Sequence, residues 1–374
     1  MTHQEIFNRI MSFQSVPRLP NYELGIWGQN VERWMKEGCP DQRVLTSDWF
    51  VGEPFFHMDR REFAWLNTGP LPLFEYKVLE ETDRYLIARH VNGIVTRALK
   101  EGTVCGTRMS MDEYFDFPVK DRASWLDMKS RFDGADPSRY PPVWPTWIMQ
   151  ITSWRHRDCP LCLLTNGAFG LYSQLRSWAG TEGISYMFYD DPALVEEMIE
   201  HHTEFLIKLV ERALGEAVTF DYFNFFEDFA GKGGPLIGPE IFRKFFLKSY
   251  QRITARLRQA GIKHFWLDSD GDTEVLIPLL IEAGITCHWP LEQASGMDPV
   301  RLRKKFGNAI ALAGGIDKRE LAKDKKAIDR ELYAKIPPLR ESGGFIPHVD
   351  HTVQPDVSYE NFLYYMELKE KLIS

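Results

Sequence analysis

After residue 142 the chain settles into a regular alternation. Short apolar runs are each followed by a longer segment whose apolar positions recur every three to four residues, the pattern of buried strands paired with amphipathic helices. Strands are expected at Trp147 to Thr152 or Cys162 to Thr165, then Val218 to Phe226, His264 to Leu267, Thr286 to Trp289, Ala309 to Ala313 and Phe345 to His348. Helices are expected at Pro192 to Leu214, Pro239 to Ala260, Thr273 to Ala283, Pro299 to Phe306, Lys318 to Lys335 and Ser358 to Leu372. Asp191, Gly238, Asp298 and Asp317 precede helix starts, and Gly215, Gly261, Gly284 and Gly307 follow helix ends.

Ahead of this alternation lie a helix, Thr2 to Ser12, a strand, Leu19 to Gly25, and a helix from Gln29 to Glu37 stopped by Gly38. Between Val44 and Pro142 the periodicity is poor. Tyr85 to Val91 and Ile94 to Ala98 flank Asn92-Gly93, a hairpin signal, and Met111 to Phe115 and Arg122 to Arg131 read as short helices. No flexible linker brackets this stretch, so it is expected to be an elaboration packed on one domain of residues 1–374. Repeated strand–helix units with short loops predict an α/β fold, a TIM (β/α)8 barrel with an N-terminal helical and hairpin elaboration. A doubly wound sheet is the alternative, disfavoured because no GxGxxG turn follows the first strand.

Charge narrows the function. A formal net charge of -8 and a pI near 5.8, with basic runs confined to helix faces, predict no nucleic-acid partner. No apolar run approaches membrane-spanning length and the N-terminus lacks a cleavage signal, so a cytoplasmic protein is expected. Five scattered cysteines suit a reducing compartment, and Cys159-Pro160-Leu161-Cys162 reads as a pair of buried structural thiols.

In a barrel, residues just past each strand share one mouth. They are Glu227 and Asp228, Asp268 and Asp270, His288 and Glu292, Asp317 and Lys318, and His348, Asp350 and His351. The run KHFWLDSDGD, Lys263 to Asp272, concentrates carboxylates that repel one another and need cations, donors or water. Each residue also has a plain reading: Asp317 as a helix cap, Glu227 and Asp228 as solvated loop carboxylates, and Glu23 as an outward-facing strand residue rather than a site residue.

These motifs resemble the uroporphyrinogen decarboxylase superfamily. The resemblance is carried by Gly271 to Glu292, by GGIDKREL at Gly314 to Leu321, by GGFIPHVDHTVQPDVSYEN at Gly343 to Asn361, and by the N-terminal PNYELGIW. It implies a TIM-type barrel and a choice between decarboxylation and the superfamily's cobalamin-linked methyltransferases. The decarboxylases' PxxxMRQAGR motif, whose arginines hold the tetrapyrrole carboxylates, is matched here by Pro20 to Trp27 without an arginine. The methyltransferases' His-x-Cys pair and third Cys fall on Asp268, Asp270 and His351. The resemblance therefore implies a divalent metal, zinc by analogy, on harder ligands, with Asp270, His351, Glu227 and Asp268 as catalytic residues.

The leading expectation is an O-demethylase-type methyltransferase that passes a methyl group between a small oxygenated substrate and a corrinoid on a partner protein. Tyr22, Trp27, Trp178 and Phe226 would wall the site, with Glu23, His288, Glu292, His348 and Asp350 around the substrate and Arg176 and Lys318 for its carboxylate. The alternatives are a decarboxylase or lyase of a small acid using Asp270 and His351, and a ligand-binding barrel without catalysis. Assembly as a homodimer is left open.

Overall fold

The protein is described from a computed structural model covering residues 1–104, 107–108, 111–139, 144–165, 170–214 and 218–374. Gly215 and Pro142 lie outside the described residues.

A seven-stranded parallel sheet curls around the molecule in strict chain order: Glu62–Leu66, Leu161–Thr165, Tyr222–Phe226, His264–Asp268, Cys287–Trp289, Ala311–Ala313 and Phe345–Ile346. The N-terminal segment closes the ring as an eighth stave. Ile26 makes a parallel bridge to Val353, and the Asp59 N–H donates to Asn21 O at 2.9 Å. The architecture is the expected TIM barrel, with helices on the outside after each strand. Where the first strand was expected, Leu19 to Gly25 forms no ladder and is held by isolated hydrogen bonds, with one bridge just beyond it at Ile26.

The stretch between residues 44 and 142 gives the barrel its second stave. Glu62–Leu66 pairs in parallel register with Leu161–Thr165. Of the two positions expected for the next strand, Cys162 to Thr165 is the strand and Trp147 to Thr152 lies in a helix, Trp144–Arg155. The Asn92-Gly93 hairpin forms inside an antiparallel sheet of Lys77–Glu81, Tyr85–Arg89, Val95–Leu99 and Glu113–Asp116. Met111 to Phe115 was expected to be helical; its second half is instead the edge strand pairing with Val95–Leu99, so a cross-strand partner overrides local propensity. Arg122–Ser130 is a helix, and the Asp121 side chain caps it as expected.

Alternation along each strand sorts the interior from the helix layer. Tyr222 and Asn224 face inward, where the Tyr222 and Trp266 rings lie 5.2 Å apart and Trp289 Nε1 donates to Asn224 Oδ1 at 2.8 Å. Phe225 faces outward onto Tyr250, with ring centroids 5.3 Å apart. The N-terminal helix His3–Met11, opened by a Thr2–Glu5 capping box, packs Phe7 on Tyr222 at 4.8 Å and on Trp266 at 5.9 Å, so it plugs the end of the barrel opposite the mouth. Cys159 and Cys162 are buried free thiols, and burial pushes Cys159 up to about 12, so neither is poised as a thiolate. Among the described residues no helix is long and apolar enough to cross a membrane.

Candidate active site

The strand His264–Asp268 ends in a turn that its neighbours fix. The Ser269 N–H donates to Trp289 O at 3.0 Å, the Gly271 N–H to Glu292 Oε2 at 3.1 Å and the Asp272 N–H to Gly231 O at 3.0 Å. Gly271 adopts φ +80°, and a Cβ there would stand 2.6 Å from Ala230 O, so only glycine fits. Asp268 shares the inward parity of His264 and Trp266, and Asp270 is carried onto the rim.

There Asp270 meets His351, 81 residues further along the chain but adjacent in space: Oδ2 lies 3.6 Å from Nε2. Each side chain keeps about two-fifths of its surface, 41% and 40%. The other ring nitrogen of His351 contacts Thr352 Oγ1 at 2.8 Å, which orients the imidazole. Asp270 Oδ1 is buried and has no hydrogen-bond partner. Burial pushes the Asp270 carboxyl up and the charges of Glu292 and Asp228 add to it, while His351 and Lys318 pull it down. Asp268 beside it is held well above the usual carboxylate range, first by burial and then by Asp270 and Asp228.

A second cluster ties three loops together. Asp350, 1% exposed, accepts from the backbone N–H groups of Gln293 at 2.8 Å and Lys318 at 3.1 Å, and its Oδ1 lies 3.4 Å from Lys318 Nζ. Lys318 is thus already paired, as is Arg176, whose guanidinium lies 3.0 Å from Asp228 Oδ2. Trp27 and Phe226, 36% and 42% exposed, stand at strand ends as rim aromatics. Glu292 is part-buried, its Oε2 also accepting from Ser295 Oγ at 2.9 Å.

Other expected site residues are spent on structure. Glu227 is fully buried and caps the helix Leu171–Asp190: its oxygens accept from the N–H groups of Leu171 at 2.6 Å, Tyr172 at 3.2 Å and Ser173 at 2.8 Å, and from the Tyr250 hydroxyl. Burial pushes it up to about 7 against those donors. Glu23 faces the helix layer, paired with Lys369 Nζ and accepting from the Tyr365 hydroxyl and Val349 N–H. His288 points outward between Thr273 Oγ1 at 2.6 Å and Leu267 O at 3.2 Å, and burial pushes it down to about 4. His348 is buried and pushed down to about 3, a neutral ring against Trp289. Trp178 packs on Trp125 and Phe132 away from the mouth. Asp317 is the helix cap of its plain reading.

The implied metal fails its fit. Zinc needs three or four ligands around one point, and among the described residues no three His, Cys, Asp or Glu side chains converge so. Asp270 and His351 meet; Asp268, one strand position lower, does not complete the set. Sequence reasoning missed Arg61, Phe50, Phe63 and Trp289, which line the interior. The stretch that carries Arg61 and Phe63 has no clear periodicity, so the sequence offered no signal that would have found them.

Parallel strands closed into a barrel define a (β/α)8-barrel protein, and a carboxylate and an imidazole meet at their C-terminal rim. The family is also plain: the model of the uroporphyrinogen decarboxylase (URO-D) family matches residues 120–372, and the chain belongs to that family. Among solved structures it is similar to a methyltransferase from Methanosarcina mazei, at 13% identity over 100% of both chains with a TM-score of 0.64, a likeness of fold. A B12-independent methionine synthase from Shewanella sp. W3-18-1 in complex with selenomethionine is more distant, at 11% identity over 95% of this chain and 98% of that one with a TM-score of 0.38. No curated protein matches the sequence.

Proposed function

We propose that this barrel is a proton-transfer enzyme of the decarboxylase or lyase type, acting on a small oxygenated acid with Asp270 as proton donor and His351 as its relay to solvent. The observation that carries it is the 3.6 Å Asp270–His351 contact at the mouth, with Asp270 raised by burial and neighbouring carboxylates. As a C–COO⁻ bond breaks and CO2 leaves, the electron pair stays on carbon. That carbon takes the proton from Asp270, and His351, open to water, returns one to the carboxylate.

A tetrapyrrole with many carboxylates does not suit the same mouth. The stave aligned with the decarboxylases' arginine motif has none, Glu23 on it faces away, and Arg176 and Lys318 are held by Asp228 and Asp350. Methyl transfer to a corrinoid protein is the second reading. It has in its favour that Asp268, Asp270 and His351 occupy the family's ligand positions and that Asp270 Oδ1 is an oxygen donor with no partner.

The deciding experiment screens small carboxylic acids for CO2 release, and methoxylated acids for demethylation with a corrinoid protein, in wild type, Asp270→Asn and His351→Gln. Proton transfer predicts turnover lost in Asp270→Asn and slowed in His351→Gln without any corrinoid. Turnover that survives in both variants sinks it, and corrinoid-dependent demethylation replaces it with the second reading.

A further inference from the structure

Below the mouth, inside the barrel, stands a cation with no counter-ion. Arg61 is 4% exposed. Its guanidinium carbon lies 4.1 Å from the centre of the Tyr22 ring, 5.5 Å from that of Phe50 and 5.7 Å from that of Phe63. Nε donates to Phe50 O at 2.8 Å, yet one terminal nitrogen is buried without any hydrogen-bond partner. Among the described residues no carboxylate lies within ion-pair distance of it. The register places the side chain indoors: Phe63 pairs with Cys162 and Cys162 with Tyr222, all facing the interior, and residue 61 shares the parity of 63.

Hydroxyls in the same interior also lack partners. The hydroxyls of Tyr22 and Tyr222, both buried, have no hydrogen-bond partner, and the Arg61 charge acts on both. A buried guanidinium without a counter-ion costs several kcal/mol, and an anion completes it best, because hydroxyls beside it can turn their protons toward the same acceptor. Arg61 and Phe63 line an open cavity of about 390 Å³ together with Arg60, Glu62, Gln150 and Trp154, so the space beside Arg61 is not filled by protein. One positive charge matches one carboxylate, and the aromatic walls match a flat or apolar body next to it.

We propose that Arg61, helped by the Tyr22 hydroxyl, anchors a carboxylate of the substrate in the barrel interior, holding a small acid with an apolar or aromatic body so that its other end reaches Asp270 and His351. The anchored carboxylate is therefore not the group that reacts. This rests on the reading of the barrel as the substrate site, and deepens it by giving the substrate an acid group and the site its cation. Arg176 and Lys318, the cations the sequence singles out, already have carboxylates of their own.

The test is calorimetric titration of wild type with benzoate, phenylacetate and hexanoate, each beside its neutral amide and beside inorganic phosphate. At least one acid should bind one to one, and its amide more weakly. Arg61→Met should lose roughly 10- to 150-fold in affinity, the range for hydrogen bonds to charged groups, and Tyr22→Phe a smaller factor. Asp270→Asn should keep the acid's affinity while losing turnover, so a failure of the proton-transfer reading leaves this result standing, and the reverse. The anchor is refuted if no acid outbinds its amide, or if Arg61→Met, folded by circular dichroism, binds as wild type does. Phosphate competing as strongly as the acid would overturn the carboxylate assignment. Should Arg61→Met fail to fold, Tyr22→Phe and a crystal of wild type with the bound acid decide, by whether the carboxylate lies within hydrogen-bond distance of Arg61.

Discussion

Replacing Lys369 by methionine tests whether Glu23 belongs to the scaffold or to the site. Glu23 and Lys369 are both fully buried, Nζ to Oε1 is 2.5 Å, and Nζ also donates to Tyr22 O at 2.8 Å. Methionine fills most of the lysine's volume and removes its charge, leaving the Glu23 carboxylate with the Tyr365 hydroxyl and the Val349 N–H. Breaking a buried pair from one side costs about 3–5 kcal/mol, because the survivor stays desolvated. Glutamine at position 23 keeps an acceptor for both donors without the charge, so Glu23→Gln added to Lys369→Met should recover roughly half of that loss. Urea unfolding of the two single variants and the double variant, followed by tryptophan fluorescence, gives the cycle. Glu23→Gln should also leave acid binding in the barrel unchanged, since its side chain faces the helices. A loss below about 1 kcal/mol in Lys369→Met, with no recovery in the double variant, or a changed affinity in Glu23→Gln, would mean that Glu23 turns into the interior and the stave is read with the wrong face.

Three further outcomes follow from the same geometry. Burial and the neighbouring carboxylates raise Asp270, so its protonated form favours the fold: that contribution is present below the ordinary carboxylate range and is lost as pH rises through the raised value. Asp270→Asn should therefore melt higher than wild type at neutral pH and equally at acid pH, and a lower melting point at neutral pH would contradict the charge cluster. Glu227→Ala removes the acceptor of three helix N–H groups and should cost about 3 kcal/mol or more by denaturant unfolding; a stable, folded and inactive variant would instead return Glu227 to the chemistry. Excess zinc should leave the wild-type melting temperature unmoved, and a rise that vanishes in Asp270→Asn would restore the metal centre.

The barrel was legible because its later units are regular. From Val218 onward each expected strand overlaps one in the structure, and Asp298 and Asp317 cap helices as their positions suggest. Legibility failed where strands are short or paired without periodicity. The first stave makes one bridge and scattered hydrogen bonds rather than a ladder, so nothing in its composition distinguishes it from loop, and Glu62–Leu66 lies among prolines and aromatics that mask its alternation.

The site was only half readable for a different reason. Sequence order shows which residues follow a strand, but not which way each side chain turns or what already occupies it. Glu227, His288 and Glu23 all stand on or beside staves, yet each turns to the helix layer and is saturated there by donors or acceptors that lie 15 to 346 residues away. Arg61 shows the converse. Nothing marks it in the sequence as different from Arg60 beside it, and only the fold reveals that Arg60 reaches Glu62 at the surface while Arg61 enters the interior with no acid to meet it. A functional cation is recognised by the partner it lacks, and in this barrel that criterion passes over Arg176 and Lys318 and selects Arg61.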